Sequence, residues 1–200
     1  MLIYLFLATL LGLSFTPTAL LAQGELLRFR LLPKESQIIT QISDPFGKAV
    51  NGEFTLREGE AQGQVIDLKG TGWVRLVIDA ASYNSNLGLR DQDVQENYLE
   101  VKDYPLIIFT TTGIDDVREP RSPEEAWHLM IRGVLELHGV KRELRLPVKV
   151  THQGRRVTAE GSTKISLNDF NISVPTLLFL FSSGNQAEVK FRFVAEQQGR

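Results

Sequence analysis

From residue 27 onward, apolar and polar residues alternate singly, and the alternation returns in segment after segment. Leu27, Phe29 and Leu31 alternate with Arg28 and Arg30; Ile38, Thr40 and Ile42 follow, then Val50, Gly52, Phe54 and Leu56. Val74, Leu76 and Ile78 alternate with Arg75 and Asp79, and Leu144, Leu146, Val148 and Val150 with Glu143, Arg145 and Lys149. Val157 to Leu167 and Val189 to Phe193 repeat the pattern. Successive strand residues point to opposite faces, so each segment has one apolar and one wetted face, as in antiparallel sheet with water on a single side. Turn signals separate the segments at Asp44-Pro45-Phe46-Gly47, Glu58-Gly59, Gly70-Thr71-Gly72, His138-Gly139 and Gln153-Gly154. Strands of this kind must hide their edges, and closing into a barrel does so. The spacing predicts an all-β fold: a single antiparallel up-and-down β-barrel of about eight strands, lipocalin-like. A two-sheet sandwich is the alternative.

Three segments depart from the alternation. Between Leu87 and Val101, apolar residues fall at Leu87, Val94, Tyr98 and Val101 among charges, a helical stripe that Asp103-Tyr104-Pro105 ends. This predicts one short helix packed outside the barrel, covering the strand Leu106–Phe109, which is apolar on both faces. Residues 115–126 read as a polar surface loop. Val174 to Phe181 is apolar without alternation, and reads either as a plug filling one end of the barrel or as a lid over a cavity mouth.

Composition narrows the function classes. The chain has 200 residues, 42% hydrophobic and 23% charged, and a net charge of -2. It offers no basic stripe for nucleic acid and no case for an anionic membrane surface. The apolar run Leu2–Leu13, the Pro17 break and Ala22 read as a secretory signal over residues 1–22, with one domain over 23–200; an uncleaved anchor is the alternative. There is no cysteine, which excludes disulfides, thiolate metal sites and thiol nucleophiles.

Little in the sequence argues for catalysis or for a metal. No nucleophile elbow, P-loop or H-E-x-x-H is present. His128 and His138 share one predicted strand at a separation of about 33 Å, so they cannot share an ion, and with His152 they are expected on the surface. One His-plus-carboxylate site remains compatible with the pattern. Arg90-Asp91 is the one adjacent charge pair of interest, either a helix-start contact or a polar anchor for a ligand.

The inward positions carry more. An eight-stranded barrel is just filled by its side chains or holds one small ligand. The expected lining is Phe29, Ile38, Phe54, Leu76, Ile78, Phe109, Ile131, Leu135, Leu144, Leu146, Ile165, Phe170, Leu178, Phe181, Phe191 and Phe193. Small residues among them, Gly133 and Gly161 above all, either taper a packed barrel or open a bore for a long apolar chain.

Three blocks, in order, resemble the YceI-like family. Arg90-Asp91 through Tyr104-Pro105-Leu106-Ile107-Ile108-Phe109-Thr110-Thr111-Thr112 looks like its R-D, helix, Y-P-x-I-x-F-x-S/T-T block. The stretch from Gly133 to Leu144 is similar to its G-x-L-T-I-x-G-V-T-K-x-V block, and Ser166 to Ile172 to its R-x-D-F-G-I block. The resemblance implies a barrel carrying a polyisoprenoid, isoprenoid quinone or fatty-acyl lipid, periplasmic or secreted, with no cofactor beyond that ligand and no enzyme activity. It is compatible with transient membrane contact and a homodimer. The chain departs from the family at Glu35 and Asp44, where histidines are common, at Asn97-Tyr98-Leu99-Glu100, where x-D-F-F is usual, and at Asn171, where glycine is. The lost histidines bear on polar contacts to a ligand head group and leave the apolar bore untouched. The rivals are an interaction module with a filled core and an enzyme using Asp or His at the barrel mouth.

Overall fold

The alternating segments form nine strands of one sheet. The computed structural model describes residues 24–43, 49–122, 125–173 and 185–199. The strands are β1 (Leu27–Leu31), β2 (Gln37–Ser43), β3 (Ala49–Gly63), β4 (Trp73–Asn84), β5 (Leu106–Arg118), β6 (Trp127–Leu137), β7 (Val140–Gln153), β8 (Arg156–Ser166) and β9 (Gln186–Gln197). From β2 to β9 each strand pairs antiparallel with the next, and β9 pairs back onto β2. Eight strands therefore close the up-and-down barrel that the spacing predicts.

β1 is the extra strand, and it shares β2's slot between β3 and β9. Phe29 stands opposite Ala61 and Gln197, while Ile38 stands opposite Phe54 and Phe191. A 3₁₀ turn at Pro33–Glu35 separates the two, opened by a proline whose missing N–H is not needed there. Ser36 Oγ donates to Leu32 O (2.9 Å) and accepts from Val194 N (3.2 Å), fixing the turn to β9.

The β6–β7 connection has two residues, since Leu137 pairs with Val140. His138 and Gly139 both take positive φ (51° and 69°), the primed-turn geometry that matches strand twist. The Asp44–Gly47 turn, the Val174–Phe181 segment and residues 1–22 lie outside the described residues.

Inward residues of all eight barrel strands meet in one apolar cluster that includes Leu56, Leu76, Ile107, Phe109, Ile131, Val148 and Phe193. The outer face carries ion pairs such as Arg75–Glu58 (3.5 Å) and Arg192–Glu160 (3.3 Å). Exposed pairs of this kind contribute about 0–1 kcal/mol, so the interior carries the stability.

Three elements differ from the expectations, the first being Glu58-Gly59, read as a turn but lying within β3 beside a register shift between Leu56 and Glu58. Residues 115–118 are strand rather than loop: β5 runs on to Arg118, and only 119–126 connect it to β6. Register shifts between Thr111 and Gly113 and between Ile114 and Asp116 break the period of two, which hides the strand from a pattern reading. The helical excursion is α2 (Gly88–Asp93) followed by a widened π turn, Val94–Tyr98, in which Leu99 N donates to Val94 O (2.8 Å). It lies outside the sheet, at the end that carries the β4–β5, β6–β7 and β8–β9 connections. Its Leu99 is buried, and Val94, Tyr98 and Val101 pack against the inner cluster. It thus roofs that end of the barrel, while Leu106 and Ile108 on the outer face of β5 stay half-buried. A one-turn helix, α1 (Leu68–Thr71), sits at the other end, where Asp67 Oδ1 caps it by accepting from Gly70 N (2.9 Å).

Candidate functional site

Strand alternation brings the expected lining residues together. Ile38, Leu76, Ile78, Phe109, Ile131, Leu146, Ile165, Phe170 and Phe193 are buried in the inner cluster. Phe29, Phe54, Leu135, Leu144 and Phe191 pack against it half-buried. Leu178 and Phe181 lie outside the described residues.

Aromatic rings are paired with glycines on the inner wall. A Cβ at Gly133 would stand 2.6 Å from Phe109 Cε2 and 2.7 Å from Thr110 O. A Cβ at Gly161 would stand 2.6 Å from Phe191 Cζ and 2.5 Å from Pro147 O. The small residues thus receive rings, which is the packed-taper alternative at these two positions. Phe191 in turn stacks on Phe193, with centroids 5.3 Å apart. The interior is built from close-fitting aromatic surfaces, with Phe54, Leu135, Leu144 and Phe191 as its incompletely buried parts.

Sequence reasoning missed Tyr83. Between the pairs Glu53–Asn84 and Thr55–Asp79 the ladder advances two residues on β3 and five on β4. That bulge turns Tyr83 inward, out of phase with Leu76, Ile78 and Ala80. Its ring lies 5.3 Å from Phe54, over Gly52, where a Cβ would meet the phenol oxygen at 2.6 Å. Burial, and next the Asp91 carboxylate, push the phenol above its ordinary pKa. A phenol on the inward side of β4 could be found only by locating the bulge first.

Arg90 and Asp91 sit beside it at the roofed end. Asp91 Oδ1 accepts from Ser85 Oγ (2.6 Å) and Ser85 N (2.8 Å), so Asp91 makes a helix-start contact. The Ser85 hydroxyl, foremost, holds the Asp91 carboxyl below its usual range, and the Arg90 charge adds to this. Gln95 Nε2 donates to Tyr83 O (2.9 Å) and ties the π turn to β4.

His138 corrects the surface expectation. Its side chain is 11% exposed. Nδ1 lies 3.1 Å from Phe170 O and Nε2 lies 3.0 Å from Glu100 Oε2, with the Tyr104 ring edge-on at 4.5 Å. The imidazole joins three connections of the roofed end: the helical excursion, the β6–β7 turn and the 3₁₀ turn Leu167–Phe170. This is a His-plus-carboxylate contact, but among the described residues no three His, Asp or Glu side chains gather as metal ligands.

No curated protein matches the chain at a significant level. Solved structures do. BcnA of Burkholderia cenocepacia superposes with a TM-score of 0.67 at 19% identity, covering 82% of this chain and 98% of its own. A polyisoprenoid binding domain from Saccharophagus degradans gives 0.66 at 16%, covering 85% and 98%. A YceI protein of Campylobacter jejuni gives 0.56 at 18%, covering 76% and 87%. These likenesses establish the fold. The sequence model of the YceI-like domain matches residues 29–195, from β1 into β9, and on that match the chain belongs to the YceI-like family.

Proposed function

We propose that this protein is an exported carrier or scavenger that holds one long apolar ligand in the barrel interior. The ligand is a polyisoprenoid, an isoprenoid quinone or a fatty-acyl lipid, and no chemical step is performed on it. The observation that carries this reading is the convergence of the inward faces of eight strands on one apolar cluster, with Tyr83 as a polar group beside it. Apolar walls with few polar groups suit such a chain, and its transfer from water is favourable by about 0.8 kcal/mol per CH₂. The Saccharophagus degradans relative, described as a polyisoprenoid binding domain, supports the same reading. Export rests on the signal-like residues 1–22. Apolar side chains are exposed at both ends of the barrel, Leu87 and Leu89 at the roofed end and Val65 and Ile66 beside α1, so either end offers a surface for exchange with a bilayer.

The rings seated on Gly133 and Gly161 favour a second reading, a filled barrel that acts as an interaction module. One experiment separates the two: native mass spectrometry of the protein purified gently from its host, then denaturing extraction. The carrier reading expects a stoichiometric added mass that leaves on denaturation and identifies the lipid. A bare chain mass, unchanged after incubation with polyprenols, quinones or fatty acids, overturns it in favour of the filled barrel.

A further inference from the structure

A concavity of about 760 Å³ is lined by outward-facing residues of β2 and β5 to β9 together with Leu129, Val148, Gly161 and Phe191 of the wall between them, and the interior reading does not use its outward-facing residues. Its position follows from parity. Leu129, Ile131 and Val148 belong to the inner cluster, so His128, Met130, Pro147 and Lys149, which alternate with them, face outward.

Three cationic residue types lie side by side across it. Arg118 pairs with His128 in the β5–β6 ladder, and His128 pairs with Lys149 in the β6–β7 ladder. Like charges directly opposite each other weaken a sheet. Elsewhere on this wall the same problem is solved internally. Arg132 and Arg145 are also directly opposed, and Asp115 stands between them, 3.1 Å from one and 3.4 Å from the other. The Arg118–His128–Lys149 row has no carboxylate at ion-pair distance among the described residues. Lys149 faces Glu160 across β7–β8, but Glu160 pairs with Arg192 at 3.3 Å. Asp116 borders the concavity, accepts from Val117 N (2.9 Å) and forms no ion pair among the described residues. Along the next row Met130 and Pro147 form an apolar pair, flanked by Asp116 on β5 and by Ser162 and Lys190 on β8 and β9.

We propose that the outward-facing side of this concavity is a second binding site, for an anionic head group on a short apolar body. Arg118, His128 and Lys149 take the phosphate or carboxylate, and Met130 and Pro147, beside His128 and Lys149 on the same two strands, take the body. A guanidinium, an imidazole and an ammonium stand on adjacent strands about 5 Å apart, and the long Arg118 and Lys149 side chains can converge with His128 on the oxygens of one phosphate monoester.

The three histidines of the chain make the test site-specific. His128 lies in the concavity, His138 at the roofed end and His152 exposed near the end of β7. The untagged protein is labelled on its imidazoles and titrated with decyl phosphate, inorganic phosphate and neutral decyl maltoside, at constant pH and low ionic strength. Decyl phosphate is expected to shift His128 saturably, with His152 unmoved. Arg118→Gln and Lys149→Gln should each weaken that binding by about tenfold or more, and Lys164→Gln, outside the concavity, should not. A decyl phosphate titration that moves His138 and leaves His128 still places the ligand at the barrel and overturns the proposal. Equal affinity for inorganic phosphate removes the apolar half of the site, and equal affinity for decyl maltoside removes the anionic half. Interior lipid, read separately by native mass, stands or falls without reference to these shifts.

Discussion

The ring of Phe109 occupies the space above Gly133, so that a Cβ there would stand 2.6 Å from its Cε2. Thr110 O, at 2.7 Å, is backbone and cannot turn aside. Gly133→Ala is therefore expected to destabilise the barrel by about 1–3 kcal/mol, read as a lower urea midpoint. Gly88, with nothing within 4 Å of its would-be Cβ, supplies the contrast: Gly88→Ala should leave stability unchanged or raise it by up to about 1 kcal/mol. Equal behaviour of the two variants would show that the ring and glycine are not in contact.

His138 links three connections through two hydrogen bonds. His138→Ala leaves Phe170 O and the Glu100 carboxylate without this partner and should cost about 1–3 kcal/mol. Since residue 138 has a φ of 51°, His138→Asn is the cleaner probe, because asparagine tolerates that backbone. Hydrogen exchange should rise first at residues 94–101 and 167–172 in either variant. Loss confined to the β6–β7 turn would contradict the linkage.

Asp91 gives a pH dependence of known sign. Its folded pKa lies below the ordinary value of 3.8 because the Ser85 hydroxyl and amide stabilise the carboxylate. The contribution is complete above that ordinary value and is lost as pH falls through the lower folded one. The stability gap between wild type and Asp91→Asn should accordingly be constant at neutral pH and close in acid. Denaturation midpoints between pH 7 and pH 2 provide the check, and a gap that widens in acid would reverse the assignment.

Tyr83 is the polar group to test against ligands. A head group bonded to the phenol should lose affinity in Tyr83→Phe by about 0.5–1.5 kcal/mol, whereas a pure hydrocarbon should bind the variant as well as wild type. Displacement of a fluorescent fatty acid by a polyprenol and by an alkane of similar length makes the comparison. Burial also raises Tyr98, so two of the four tyrosines, Tyr83 and Tyr98, are expected to ionise above the ordinary tyrosine range in an ultraviolet alkaline titration.

Much of the barrel was legible because water on one face forces alternation. The period of two located the cores of β3, β4 and β7 and the inner parity of Leu76, Leu146 and Phe193. What escaped is where the period fails. The bulges in β5 concealed residues 115–118, and the slippage between β3 and β4 concealed Tyr83. His138 escaped for another reason: beside a glycine it reads as a turn residue, and nothing local reveals that Phe170 and Glu100, 32 and 38 positions away, converge on it. The row Arg118–His128–Lys149 likewise exists only in the register of three strands. Alternation gives the facing of each residue and not its neighbours across the ladder.

The shared slot of β1 and β2 bears on the order in which the chain assembles. Barrel closure joins Gln37–Gln41 to Glu188–Arg192, and Ser36 reaches Val194 across 158 positions. Until the last strand is in place, β2 and β8 each present an unpaired edge, a template for intermolecular pairing. A ring sealed by its most distant contacts incurs its largest loop-closure cost at the end and folds slowly. Truncation within β9 should therefore yield aggregates rather than a seven-stranded remnant, and a chain emerging N-terminus first stays vulnerable until β9 arrives.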